Sequence, residues 1–517
     1  MRKYLYIAVF FSGMTSLGIE MTASRLLGNV FGTSNIVWAS IIGLILIYLA
    51  AGYFIGGRWA DRSPNPLTFF KILTWAAIST AFVPVLSRPV LRIAATAFDQ
   101  LDLAILLGSF TSVLILMIVP MILLGTASPF VIRLAIQDSN HIGQVSGKIY
   151  AISTLGSFIG TFLPVLILIP ALGTYRTFLF FSAVLLIIGM LGIFLHSGPR
   201  KLLLYLWAPL LLTALWIWGL PGSAKNTPGM VYETESAYNY IQVLEYDGYH
   251  YLRLNEGQGV HSIYHPTQLM YYGPWEQVLV APFFNPGPIQ PEDVKSMAIV
   301  GLAAGTTARQ ASIVFNNIQI DGIEIDPKIV DVGRKYFDMN QPNLNVIVQD
   351  GRWALTHNDK QYQIISVDAY RPPYIPSHLT TQEFFSTVHD HLTPDGVLVI
   401  NVGRGPDDRR LVSALSTTIL TVFPTIHVVD VPNSFNSIIF ATMQPTDPQN
   451  LVANYIQLAG NPTVNPLLLQ SIEVAAAQLQ PQPETSLVFT DDNAPIEWMT
   501  NNMVVQFLLF GDKEILQ

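Results

Sequence analysis

Residues 297–326 read MAIVGLAAGTTARQASIVFNNIQIDGIEID. An apolar run ends at Gly301, and small residues continue to Gly305. A helix-forming stretch comes next, and a second apolar run then closes on Glu324 and Asp326. Short apolar runs alternating with helical stretches are the pattern of a parallel sheet covered by helices. Small residues at a strand-to-helix turn let the backbone approach a ligand. An acid some twenty residues further on is placed to accept hydrogen bonds from two ribose hydroxyls.

The pattern persists downstream. Strands are predicted over 297–301, 319–325, 345–349, 362–368, 396–402 and 436–442. The third ends in Gln349-Asp350-Gly351, where a carboxylate can accept from the amino group of adenine. The fourth ends in Val367-Asp368-Ala369-Tyr370-Arg371. A single aspartate at a strand end is commonly a cap or turn residue. Four consecutive strand ends in the right order define an adenosyl-ligand site at the carboxyl edge of the sheet. Upstream, residues 238–254 (YNYIQVLEYDGYHYLRL) hold two β-rich runs around Asp247-Gly248, a two-residue hairpin signal.

These residues carry a resemblance. Glu235 to Ile241, Leu254 to Gln258, Tyr264-His265, the glycine turn, Ile323 to Asp326, Asp350-Gly351, Tyr362 to Asp368 and Leu379 to Phe385 occur in the order and spacing of one family. Residues 233–443 resemble the spermidine synthase (polyamine aminopropyltransferase) family, in the variant fused to an N-terminal membrane domain. The resemblance implies a Rossmann-like, methyltransferase-type α/β sheet preceded by a small β domain. It also implies transfer of an aminopropyl group from the sulfonium of decarboxylated S-adenosylmethionine to a small-molecule amine, with no metal or other cofactor, in a possible homodimer. Gly301, Gly305, Glu324, Asp350 and Gly351 would then hold the nucleoside, with Glu324 on the ribose and Asp350 on the adenine. Gln258, Tyr264, His265, Tyr370 and Arg371 would face the substrate cavity, and Asp368 matches the family's catalytic acid. An ammonium is no nucleophile until it loses a proton, which a fixed carboxylate can accept.

The departures from the family concern charge. Ala304 stands where the glycine loop normally carries an aspartate, Arg371 where the fourth strand's second acid belongs, Asn239 where glutamine is usual, and Pro266 where glutamate commonly follows Tyr-His. Two anions suited to cationic groups are missing, and a like charge disfavours a polyamine. Arg371 or Arg309 could meet a carboxylate instead, which would suit intact S-adenosylmethionine as a donor of methyl or aminocarboxypropyl groups. A non-catalytic nucleoside-sensing or transport subunit is the third possibility.

The N-terminal part is of another kind. Only 12% of the 517 residues are charged, against roughly 25% in ordinary soluble domains. Residues 1–220 hold 13 Lys/Arg and 5 Asp/Glu, so the remaining 14 bases and 30 acids belong to residues 221–517. An acidic domain without basic clusters argues against a nucleic-acid partner, and the absence of cysteine excludes thiolate chemistry. A helix needs about 20 apolar residues to cross a bilayer. Segments near 4–24, 36–56, 69–86, 103–124, 149–170, 176–195 and 201–219 qualify, predicting an α-helical bundle of about seven spans in a multi-pass protein of the cell membrane. In the fifth segment, Gly156 and Gly160 predict a close helix–helix contact. Glu20 and Arg25 have either a partner or an interfacial position. Gly57 to Arg62 (GRWADR) resembles the charged loop between helices two and three of major facilitator transporters, which implies a cytoplasmic loop.

Lys and Arg counts favour a cytoplasmic N-terminus. Seven spans would then carry the C-terminal part outside, whereas an adenosyl sulfonium donor is cytosolic; the soluble domain is expected to be cytoplasmic, with one span miscounted. The predicted organisation is a membrane domain at 1–220, a linker at 221–230, a small β domain at 231–290 and the adenosyl-binding domain at 291–517.

Overall fold

The computed structural model describes residues 2–31, 35–99, 103–136, 142–219, 227–255, 259–370, 375–482, 485 and 487–510. Residues 221–226 of the predicted linker, Gln258 and Arg371 lie outside them. The chain divides into two compact units. The first comprises Met1–Pro228 with Glu233–Tyr240 and Asn255–Gly257. The second comprises Gly229–Tyr232, Ile241–Leu254 and Gln258–Gln517.

The first unit is helical: α1 (Arg2–Phe31), α2 (Asn35–Arg62), α3 (Pro66–Asp99), α4 (Leu103–Leu116), α5 (Ile118–Gly125), α6 (Ala127–Ala135), α7 (Ile142–Leu163), α8 (Ile169–Ser197), α9 (Pro199–Leu202) and α10 (Trp207–Trp218). Among the described residues, six stretches are long and apolar enough to cross a membrane, against the seven segments predicted. The difference arises at Ile142–Ser197, a continuous stretch of 56 residues that takes in the fifth and sixth predicted segments and is interrupted by non-helical backbone at Gly173. Many large apolar side chains face outward, with Phe54 74% and Leu210 72% exposed, as an apolar solvent permits and water does not.

The α1 helix packs along α7 and α8, and α3 along α8. A Cβ at Gly156 would lie 2.0 Å from the Phe10 carbonyl oxygen and one at Gly160 2.1 Å from that of Met14. The predicted contact is therefore between α7 and α1, at backbone distance. GRWADR forms the last turns of α2 rather than a loop, and Asp61 pairs with Arg133 at 3.1 Å. Glu20 is buried. Arg25 has partners: it donates to the carbonyls of Ser236 (2.8 Å) and Tyr238 (3.0 Å).

A four-stranded sheet, ordered β1-β2-β3-β4, comprises β1 (Met230–Glu235), β2 (Tyr240–Tyr246), β3 (Tyr249–Leu254) and β4 (Val260–Tyr264). Tyr246 pairs with Tyr249 across a turn whose residues Asp247 and Gly248 have φ of +50° and +83°, as the hairpin signal predicts.

The second unit is built on an eight-stranded sheet: β5 (Ser296–Val300), β6 (Gln319–Glu324), β7 (Leu344–Val348), β8 (Tyr362–Val367), β9 (Leu392–Gly403), β10 (Thr425–Asp430), β11 (Asn436–Thr442) and β12 (Leu479–Gln480). The spatial order is β12-β10-β11-β9-β8-β5-β6-β7. From β7 to β9 the pairing is parallel. β11 pairs with β9 and β10 antiparallel. The sheet is therefore mixed: the connection from β10 to β11, residues 431–435, is too short for a parallel crossover. The chain runs outward from β5 through β6 and β7, then returns to β8 on the other side of β5. The crevice outside the carboxyl ends of β5 and its neighbours is the switch point where doubly wound sheets bind ligands.

Candidate functional site

The turn after β5 is bent by three left-handed residues, Gly301 (φ +92°), Ala303 (φ +49°) and Gly305 (φ +87°). A side chain at Gly301 is excluded twice, by that φ and by the Asp368 carbonyl oxygen, which a Cβ would approach to 2.4 Å. Gly305 caps the helix Thr306–Val314. The bend aims backbone donors at the end of the neighbouring strand: Ala303 N–H donates to Glu324 Oε2 at 2.9 Å, while Asp326 N–H donates to Glu324 Oε1 at 3.0 Å. Glu324 is 7% exposed, and burial pushes its pKa up to about 7 against these hydrogen bonds. No cation holds it among these contacts, and each carboxylate oxygen accepts from a backbone amide.

Asp350 behaves differently. Its Oδ1 caps the helix Gly351–Thr356 by accepting from Trp353 N–H at 3.0 Å, and its Oδ2 lies 2.9 Å from His378 Nε2. Burial raises its pKa, but the bonds from Trp353 and His378 outweigh burial and hold it below the usual carboxylate range.

Asp368 follows β8, its N–H bonded to Val300 O at 2.8 Å. Its Oδ1 accepts from Asn401 Nδ2 at 2.9 Å, and Asn401 Oδ1 in turn accepts from Asn436 Nδ2 at 2.8 Å. Burial pushes Asp368 up to about 6, offset in part by Asn401. That value suits a group that takes a proton near neutrality. The Tyr370 hydroxyl accepts from Gly403 N–H at 2.6 Å and donates to Asn401 O at 3.2 Å, so both side chains after β8 are braced by β9.

Sequence reasoning missed Asn401. Its signal was an amide at the end of an otherwise apolar strand, VLVINVG. His378, which meets Asp350, had none.

Residues 262–266 are joined to the glycine turn and the helix after it. Ser262 Oγ accepts from Ala304 N–H at 2.9 Å, and Thr306 Oγ1 bonds both backbone groups of Ile263 at 2.9 Å. Arg309 donates to the carbonyls of His265 (2.8 Å) and Pro266 (3.0 Å), and its guanidinium lies 4.6 Å from the Tyr264 ring centre. Arg309 is thus held by backbone carbonyls of the segment after β4. His265 Nδ1 accepts from Gln268 N–H at 3.0 Å, and its ring packs on Tyr249 at 4.4 Å. Ala304 is buried in an apolar cluster with Ile241, Val243 and Leu252. Of the predicted residues, Gly301, Gly305, Glu324, Asp350, Gly351, Asp368 and Tyr370 therefore share the carboxyl edge of β5 to β8, and Tyr264 is tethered to that edge.

Residues 286–454 match the spermine/spermidine synthase domain. A probable polyamine aminopropyl transferase of Bifidobacterium longum is 30% identical over 304 residues, covering 56% of this chain and 66% of that protein. A polyamine aminopropyltransferase of Vibrio vulnificus is 26% identical over 264 residues, covering 49% of this chain and 79% of the relative. The chain thus spans just under two thirds of the Bifidobacterium relative. Among solved structures, a probable spermidine synthase from Corynebacterium glutamicum is 18% identical with a TM-score of 0.39, covering 50% of this chain and 99% of that one. The spermidine synthase of Thermotoga maritima is 20% identical with a TM-score of 0.38, covering 49% and 84%.

Proposed function

We propose that this chain, whose C-terminal region is a spermine/spermidine synthase domain joined to an N-terminal block of apolar helices, is a membrane-anchored aminopropyltransferase. It would move an aminopropyl group from decarboxylated S-adenosylmethionine to an amine, with the soluble part on the cytoplasmic side. The observation that carries this reading is the row of acids at adjacent strand ends: Glu324 and Asp350, of opposite pKa shift, beside Asp368 poised near pH 6.

In this reading Glu324 accepts from the ribose hydroxyls and Asp350 from the adenine amino group, which leaves the sulfonium before Asp368. Asp368 takes a proton from the acceptor ammonium, and the freed amine nitrogen attacks the carbon next to sulfur. The C–S bond breaks and its electron pair stays on sulfur, giving neutral methylthioadenosine. The sulfonium is already an activated leaving group, so orientation and charge supply most of the remaining rate. No metal enters any step.

The commitment of Arg309 to backbone carbonyls supports the decarboxylated donor over the intact one, whose carboxylate would then be left to Arg371. The test is to supply the full chain, in detergent, with either donor and a panel of amines, and to identify the nucleoside product by mass spectrometry. Methylthioadenosine from the decarboxylated donor alone is the expected result. S-adenosylhomocysteine would replace the proposal with methyl transfer, and no product from either donor would overturn it. Protease accessibility of the soluble part in intact cells tests its side of the membrane.

A further inference from the structure

A series of side-chain hydrogen bonds runs from the turn between β10 and β11 to Asp368. Asn436 N–H donates to Ser434 Oγ at 3.1 Å, and the Ser434 hydroxyl donates to Asn436 Oδ1 at 2.6 Å. Asn436 Nδ2 donates to Asn401 Oδ1 at 2.8 Å, and Asn401 Nδ2 to Asp368 Oδ1 at 2.9 Å. The sheet dictates this order. Asn401 pairs with Ile438 across β9 and β11, so Asn436, two residues away, is its diagonal neighbour on the same face. Val367 pairs with Ile400 across β8 and β9, which brings Asp368 level with Asn401.

The polarity of the series is set from both ends. An ionised carboxylate only accepts, so it calls for the nitrogen of Asn401 and turns Asn401 Oδ1 toward Asn436. The Ser434 hydroxyl has one proton, and Asn436 Oδ1 receives it only while Asn436 Nδ2 faces Asn401. Reversing both amides would deprive the Ser434 proton of that acceptor and turn Asn401 Oδ1 to Asp368. A carboxyl that keeps its proton could meet that oxygen, and a carboxylate could not. Asn401 is buried. Among the described residues, Tyr370 is the titratable group that faces Asp368 from its own loop. β5 approaches with the Val300 carbonyl and Gly301, β9 with Asn401. Behind the turn, Arg404 donates to Ser434 O at 3.2 Å and, with Arg409, holds Asp430.

We propose that Ser434 and Asn436 are positioning residues for the transfer reaction: through Asn401 they fix an amide donor on Asp368 and so favour its carboxylate form, the form that accepts the proton of the acceptor ammonium. This rests on the reading of Asp368 as the proton acceptor and extends it to a turn that touches neither substrate nor Asp368 itself. A buried, fully paired series of this kind holds one arrangement over its reverse.

The test uses the full chain in detergent and Asn436→Leu, which removes the donor without adding charge. Protonation of Asp368 is read in two ways. One is the acidic limb of kcat/KM; the other, which needs no turnover, is titration of the infrared carboxyl band that Asp368→Asn removes. Asn436→Leu is expected to move both to higher pH by at least about 0.5 unit. Well below the limb, kcat/KM should then fall about threefold and recover as pH rises, with donor affinity within threefold of the original. An unmoved infrared titration, or a loss of turnover equal at every pH, is what a purely structural role predicts, and either overturns the proposal. Should Asn436→Leu elute as aggregate, Ser434→Ala, which removes one hydroxyl from a half-buried turn position, decides by the same readouts. A shift to higher pH supports the proposal, and an unmoved titration overturns it. If the unaltered chain turns over neither donor, the aminopropyltransferase reading fails, and the infrared titration still decides whether the turn acts on Asp368.

Discussion

In the α/β unit, Glu324 accepts two backbone N–H bonds and Asp350 is held by Trp353 N–H and His378. In the helical unit, Glu235 depends on Thr174 and Asn29, and Arg25 on the carbonyls of Ser236 and Tyr238. In the first arrangement three of the four bonds come from backbone N–H groups and one from a side chain, His378. The second needs several separate helices assembled at once. Substitutions should therefore change chemistry in one unit and stability or assembly in the other.

The strongest way to break this contrast is Asp368→Asn. It is expected to lower turnover by roughly 10²- to 10⁴-fold while nucleoside binding stays within threefold; unaltered turnover would remove Asp368 from its role. Next comes a matched pair of glycine substitutions. In Gly301→Ala the new methyl meets the Asp368 carbonyl, and donor binding should weaken by at least about thirtyfold, since strain and overpacking cost about 1–3 kcal/mol each. Gly156→Ala meets the Phe10 carbonyl instead. It should lower the melting temperature in detergent by several degrees and leave nucleoside binding within threefold. If the two variants gave the same pair of readouts, the units would not be separable in this way.

Glu324→Gln keeps the shape but loses the charge-assisted acceptor, and calorimetry should show donor affinity falling by about ten- to fiftyfold. The pH profile then sharpens the picture. Asp368 must be ionised to accept a proton, so kcat/KM should fall as pH drops through about 6. Asn401 lowers that pKa, so Asn401→Leu should move the acidic limb to higher pH, by about 0.5–1 unit. Stability should run the other way. Glu324 and Asp368 keep their protons to higher pH folded than unfolded, so the unfolded chain binds fewer protons between about pH 4 and 7. Stability falls as pH rises through that window, by no more than about 3 kcal/mol per group. Denaturant titration of Asp368→Asn should show a shallower fall. The smallest effect is expected for His265→Gln, with less than threefold loss of turnover, because the ring serves Gln268 N–H and Tyr249. A larger loss would return His265 to the substrate cavity.

Five of the six predicted strands appear in register with the apolar runs that announced them, and β9 begins earlier, at Leu392. β10 was illegible for a physical reason. Its sequence TIHVVD carries His427 and Asp430, whose burial is made tolerable only by remote partners. His427 stacks on Phe284 at 4.5 Å and bonds Thr446, while Asp430 is gripped by Arg409 at 2.7 Å. Missing β10 also hid the antiparallel edge, because the hairpin that reverses β11 needs both strands. In the helical unit, hydropathy separated a fifth and a sixth segment around residues 170–176, where the structure has one apolar stretch, Ile142–Ser197, broken by non-helical backbone at Gly173.

Composition and local pattern were enough to separate an apolar helical part from an acidic α/β part and to place Gly301, Glu324, Asp350 and Asp368 at strand ends, because hydropathy period and turn chemistry act over a few neighbouring residues. The partners that set the electrostatics of those groups were beyond that reach. Asn401 lies 33 residues from Asp368, and Glu235 lies 206 from Asn29. A hydrogen bond closed over such a distance leaves no trace in either neighbourhood, and it exists only once the chain has packed.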